Sequence, residues 1–419
     1  MKKKVVVIGG GFGGLYFAKK VKSADVEITL IDRRNHHLFQ PLLYQVATGG
    51  LSPGDIAYPI RSALSSKKNI RFVQDEVIGF SAQDKSVITK NGTYVYDMLI
   101  VAAGTGNSYF GNDSWEKNAP GLKSIEDALK MRSKILYPLE KAEIETDSEK
   151  QKALMTYVVI GGGPTGVELC GAIAEMTKTT LKGSFRSIQS EHARIILVEA
   201  GKRILSGFSE KLSEKALKNL KNLGVEILLN TKVTQIESDF VEIEKDGKRE
   251  KIVTESVLWG AGVKSSNLVL RLKEQFNCTV DKQGRVQVNP TLQIDSEHSV
   301  YVIGDIAHVI DPSTGRPLAG IAPVAMQQGA YLAKHIHKII KGESVKPFVY
   351  WDRGSLAVIG RNKAVGTVFG FELSGFPAWF TWIFIHIAFL IGFNNRIIVL
   401  FQWAWNYITR KRGALLITD

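Results

Sequence analysis

The chain has 419 residues, of which 44% are hydrophobic and 23% charged, with a formal net charge of +13 and two cysteines. That length exceeds one ordinary hydrophobic core and predicts two or three domains, while the composition excludes disorder, a disulfide framework and a paired-thiol redox motif. The positive charge leaves nucleic acid or an anionic membrane surface as partner classes. With no nucleic-acid module and no zinc-ligand spacing in the sequence, nucleic acid and a metal site are not expected.

Val5–Ile8 is a short apolar run of β-branched residues, as a buried parallel strand requires. Three lysines precede it, but the run is too short for the core of a signal peptide. It leads into Gly9-Gly10-Gly11-Phe12-Gly13-Gly14 and a helix from Leu15. Gly9, Gly11 and Gly14 fill the fingerprint G-x-G-x-x-G, whose glycines serve a tight turn, close approach to a pyrophosphate and helix-on-strand packing. The phosphates would sit on the free amides of that helix. A second strand, Val26–Ile31, ends in Asp32, a carboxylate placed to accept hydrogen bonds from a ribose.

The pattern returns at Tyr157–Ile160, followed by Gly161, Gly163 and Gly166 in the same spacing and by Val167-Glu168-Leu169 opening a helix. Its next strand, Ile195–Val198, ends in Glu199, after an apparent insertion from Thr177 to Ala193. An acid there suits the two ribose hydroxyls of NADH and repels the 2′-phosphate of NADPH. Two dinucleotide sites in one chain are expected to hold FAD in one copy and a nicotinamide in the other.

Phe376 to Phe393 is apolar except for Thr381 and His386. Asn394-Asn395-Arg396 interrupts the run, Ile397 to Ile408 resumes it, and Arg410-Lys411-Arg412 follows. A membrane-spanning helix would be at the lower limit of length, and a helix buried in a core or dimer is a second alternative. The tryptophans and trailing cations favour a pair of helices lying in the membrane interface, with Arg396, Arg410, Lys411 and Arg412 facing lipid headgroups.

The remaining motifs carry a family resemblance. Asp97–Thr105 and Ser256–Val263 resemble the strand-to-glycine links of the two-dinucleotide-binding-domain flavoproteins, and Ser299–Asp305 resembles their second FAD motif. Asn35–Thr48 is similar to the flavin-side segment of one branch, the type II NADH:quinone oxidoreductases. Ile321–Gln328 is similar to that branch's quinone stretch, with Pro323 where the pattern A-Q-x-A-x-Q has its first glutamine.

The resemblance implies an α/β fold of two Rossmann-like domains plus C-terminal membrane-anchoring helices. The FAD domain would take 1–120 and 286–345, the NADH domain 121–285, and the anchor 346–419. It implies noncovalent FAD at Gly9, Gly11, Gly14, Asp32, Thr48, Gly104 and Asp305, and NADH at Gly161, Gly163, Gly166, Glu199 and Gly262. Gln327 would meet the quinone, and Glu168 would act on the nicotinamide side. His37 and His308 are expected to be structural. The protein would be peripheral or monotopic on the cytoplasmic face of the cell inner membrane, with a homodimer compatible with the tail. The rival functions are a soluble NADH-dependent reductase of a ferredoxin-like protein and a redox sensor of the apoptosis-inducing-factor type.

Overall fold

The computed structural model describes residues 2–418. The chain divides into two units, the first made of Met1–Leu38, Ala57–Gly106 and Val263–Trp351, the second of Phe39–Ile56, Asn107–Gly262 and Asp352–Asp419.

The first unit is built on a six-stranded sheet in the order Gln293–Ile294, Glu297–Val302, Met98–Val101, Lys3–Ile8, Val26–Asp32, Ile70–Gln74. All neighbours are parallel except the first pair. Val5–Ile8 lies between two partners, with Val5 opposite both Ile28 and Met98, and is buried. That explains why it alternates nothing: a central parallel strand is covered on both faces. The helix Phe12–Lys20 packs against the helix Ala322–Ile340, where a side chain at Gly329 would strike the Gly13 carbonyl. Glycine is required there because two helix backbones touch.

The second unit repeats the design with a four-stranded parallel sheet in the order Val225–Leu228, Arg194–Val198, Thr156–Ile160, Ser256–Trp259. Val158, Ile160, Ile196, Val198 and Val257 join Val241 and Ile243 of an antiparallel sheet in one core. The helix Ile125–Ile144 starts at a reciprocal capping box between Ser124 and Asp127. A separate antiparallel sheet, Gly354–Gly360, Lys363–Val368 and Phe371–Gly375, leads into two terminal helices, Phe376–Phe389 and Phe393–Thr409.

The interruption between those helices lies at Leu390–Gly392, ahead of the polar triplet that the sequence singles out. Gly392 has φ +90°, so the chain turns there. Asn394-Asn395-Arg396 is helical instead, and two of its side chains find backbone acceptors: Asn395 donates to the carbonyls of Gly54 and Asp55 at 3.0 Å, and Arg396 Nε to Leu390 O at 2.7 Å. No helix among the described residues is long and apolar enough to cross a membrane. Fourteen residues reach only about 21 Å at 1.5 Å per residue.

Candidate active site

The two glycine loops have the same internal construction. Gly9 (φ +100°) and Gly161 (φ +105°) adopt left-handed backbone, and a Cβ would strike the Ala102 carbonyl and Ala261 respectively. A Cβ at Gly14 or Gly166 would meet the carbonyl of Gly9 or Gly161, so each third glycine closes its turn. The middle glycines differ: nothing lies within 4 Å of a Cβ built at Gly11 or Gly163. Each loop therefore packs its outer glycines tightly and leaves an open cradle at the start of a helix, where free amides favour phosphate.

Asp32 and Glu199 stand at these cradles. Asp32 accepts the Gly10 amide at 2.6 Å on one oxygen and the Arg34 amide at 2.8 Å on the other. A carboxylate offers about four lone-pair positions, so acceptor capacity remains for ribose hydroxyls. The first loop also holds His37, whose Nδ1 lies 3.0 Å from the Gly10 carbonyl and must carry the proton there. Burial lowers the His37 pKa to about 4, which keeps the ring neutral. The turn before Asp305 is held by Gln328, which is buried and accepts the Gly304 amide at 2.6 Å. Asp305 accepts from Thr105 at 3.4 Å. Gly104 has φ +70° and open space around it, whereas Phe110 closes over Gly262. His308 is bound to Asp281 at 2.8 Å, beside Arg285.

Gln327 is already engaged. Its amide donates to the Trp351 carbonyl at 2.9 Å and accepts the Trp351 amide at 3.0 Å.

The second unit encloses a cavity of about 690 Å³. It is walled by the short helix Leu43–Ala47, the helix Pro164–Glu175, the strand Gly354–Gly360 and both terminal helices, which contribute Trp379, Trp382, Trp403 and Tyr407. Gly171 lets the Ile359 carbonyl press onto its helix, since a Cβ there would overlap it. This brings Glu168 within 3.3 Å of the Val358 amide. Burial pushes the Glu168 carboxyl up to about 8, despite that hydrogen bond. Thr48, also in the wall, donates its hydroxyl to Tyr44 O at 2.9 Å.

Arg412 corrects the expectation of a lipid-facing cation. Its guanidinium donates to Thr48 O at 2.8 Å and lies 3.9 Å from Glu175, with the side chain only 13% exposed. Continuing from it, Ala414 bonds the Gly49 carbonyl and accepts from Arg132, so the segment is tied down beside the short helix. Arg410 and Lys411 stay exposed.

Residues 3–329 match the family described as pyridine nucleotide-disulphide oxidoreductase. The type II NADH:quinone oxidoreductase Ndh of Mycobacterium tuberculosis is 44% identical, over 100% of this chain and 91% of that protein. This chain belongs to the type II NADH:quinone oxidoreductases. The type II NADH:quinone oxidoreductase of Staphylococcus aureus is 32% identical over 90% of this chain and 93% of that protein. Among solved structures, NDH2 from Plasmodium falciparum in complex with NADH shares the fold, with a TM-score of 0.90 over 99% of this chain and 100% of that one at 22% identity.

Within this type II oxidoreductase, sequence reading missed Gln328, Tyr44, Glu175 and Arg412. Gln328 was visible as the neighbour of Gln327 in the same motif, but the cavity residues carry no local signal. They come together only through contacts such as Arg412 with Thr48, 364 residues apart in sequence.

Proposed function

We infer that this chain oxidises NADH and delivers the electrons through FAD to a quinone bound in the cavity beside Glu168. FAD, when bound, supplies the redox chemistry, accepting two electrons as hydride and passing them to the quinone. The first loop, with its open cradle at Gly11 and the acids Asp32 and Asp305, fits FAD. The second, with Gly163 and Glu199, fits NADH. Thr48, Gly104 and Gly262 are assigned to the cofactor surfaces on the family resemblance.

The observation that carries the acceptor assignment is a buried carboxyl in a largely apolar cavity. Quinone reduction consumes two protons, and a carboxyl titrating near 8 holds one at neutral pH. Glu168 is thus suited to protonate a reduced quinone oxygen, a role on the acceptor side in place of the nicotinamide-side role first expected. Gln327 holds residue 351 through two hydrogen bonds, and its role toward the quinone rests on the family resemblance.

The terminal helices support docking on a membrane. Phe376, Phe380 and Phe384 lie four residues apart on one helix and are exposed; Phe393, Ile397, Phe401, Trp405 and Ile408 form a matching exposed stripe on the other. Phe380 and Ile408 also line the cavity, so the apolar face and the cavity are continuous. Exposed Arg410 and Lys411 follow this face and suit an anionic leaflet. The protein is read as monotopic on the cytoplasmic face, with the domain boundaries and homodimer given above as working assignments. Rapid mixing tests the function: NADH should bleach the flavin, and a quinone analogue should restore its absorbance. A flavin that NADH reduces but quinone does not reoxidise would favour the redox-sensor reading.

A further inference from the structure

The cavity wall contains a hydrogen-bond chain whose direction is fixed by chemistry. Trp403 Nε1 donates to Gln45 Oε1 at 2.7 Å. An indole nitrogen can only donate, so the amide oxygen of Gln45 must face it and the amide NH₂ must face away. That NH₂ donates to the Tyr44 hydroxyl oxygen at 3.1 Å. Tyr44 therefore accepts from Gln45, and its own proton has to point elsewhere. No acceptor for it occurs among the described residues. Tyr44, Gln45 and Trp403 all line the cavity, and Tyr44 is 5% exposed. A buried hydroxyl without an acceptor is costly, so an occupant of the cavity with a carbonyl oxygen would be the natural partner.

We propose that Tyr44 is the hydrogen-bond donor to a carbonyl oxygen of the quinone in this cavity, with Trp403 acting through Gln45 to turn the hydroxyl toward it. This rests on the cavity being the acceptor site. Tyr44 binds and polarises the carbonyl and keeps its proton, since burial holds its pKa well above the ordinary tyrosine value. Trp403 and Gln45 are positioning residues. The arrangement selects acceptors bearing a carbonyl over outer-sphere oxidants, which need no donor.

The test compares Tyr44→Phe, Trp403→Phe and Ala404→Trp in flavin-loaded protein, using menadione, a dimethoxy-methyl-benzoquinone and ferricyanide as acceptors. Ala404 lines the cavity from the last helix, so a tryptophan there would fill it. Tyr44→Phe should raise KM for both quinones about tenfold while ferricyanide reduction stays unchanged. Trp403→Phe should act in the same direction by a smaller factor. In infrared difference spectra with carbonyl-labelled quinone, the lowered C=O stretch of the wild type should return toward the free value in Tyr44→Phe. Unaltered quinone KM and C=O stretch in Tyr44→Phe, with Ala404→Trp blocking quinone, would overturn the role of Tyr44 and leave the cavity assignment standing. Unaltered quinone kinetics in Ala404→Trp would overturn the cavity assignment itself.

Discussion

Gly162 donates its amide hydrogen to one oxygen of Glu199 across 2.5 Å, and Gly201 donates to the other across 2.6 Å. The carboxylate is thus held from both sides and cannot swing away from an approaching 2′-phosphate. Glu199→Ser should narrow the NADH-over-NADPH ratio of kcat/KM by on the order of tenfold or more, because a like-charge juxtaposition is removed. KM for NADH should rise too, as the loop loses its anchor. An unaltered ratio in steady-state assays with both coenzymes would move discrimination away from Glu199.

Glu168 sets a pH dependence. With its pKa near 8, the proton is present below that pH and lost above it, so quinone-dependent flavin reoxidation should decline above about pH 8. Glu168→Gln should slow that step about a hundredfold and remove the limb, with flavin reduction by NADH little affected. Stability gives an independent reading. The folded carboxyl is raised above its ordinary value of 4.5, so the folded state retains a proton that the unfolded chain releases. Stability should fall as pH rises from about 4.5 to 8 and level off beyond. The glutamine variant should flatten that slope in pH-resolved denaturant melts.

Neither cysteine should be needed. Cys170 is fully buried on its helix, and burial drives its thiol pKa far up; Cys278 is buried as well. Replacing both with alanine should preserve NADH oxidation with quinone, at a stability cost of about 1 kcal/mol or more for the core position. A folded, flavin-loaded double variant without turnover would restore a thiol mechanism.

Gln327→Ala breaks both bonds to Trp351. Quinone-dependent reoxidation should slow more than flavin reduction, by several-fold, when the two half-reactions are timed separately. Equal slowing would make Gln327 a purely structural clamp.

Phe384, Phe401 and Trp405 are 69%, 69% and 64% exposed and do not line the cavity. Changing all three to serine should release the protein from anionic vesicles in co-sedimentation, with ferricyanide reduction retained. Undiminished vesicle binding would locate the membrane contact elsewhere.

Both strand–glycine–helix–strand modules were readable from residues alone, because their demands are local. Gly9 and Gly161 must take positive φ, and Val5–Ile8 and Tyr157–Ile160 must be apolar on both faces. The cavity was not readable. Tyr44 sits in a segment that sequence assigns to the flavin domain, and its surroundings come from helices at 164–175 and beyond 376. Arg412 looked like part of a basic run facing lipid; only its bonds to Thr48 and proximity to Glu175 show a wall residue. The turn between the terminal helices was misplaced for a similar reason. Asn395 and Arg396 read as breakers, but carbonyls outside the helix, at Asp55 and Leu390, accept from their side chains, and Gly392 makes the turn.

The bond between Arg412 and Thr48 has a consequence for biosynthesis. A ribosome adding 5–20 residues per second needs roughly 20–70 s to reach Arg412 after Thr48 has been made. Throughout that interval the 39–56 segment lacks part of the wall that will cover it, although the parallel sheet of the first glycine loop already has three of its strands by residue 74. The nascent chain therefore carries an unfinished apolar surface for most of its synthesis. A chaperone, or the membrane itself, would have its longest opportunity to engage the protein in that window.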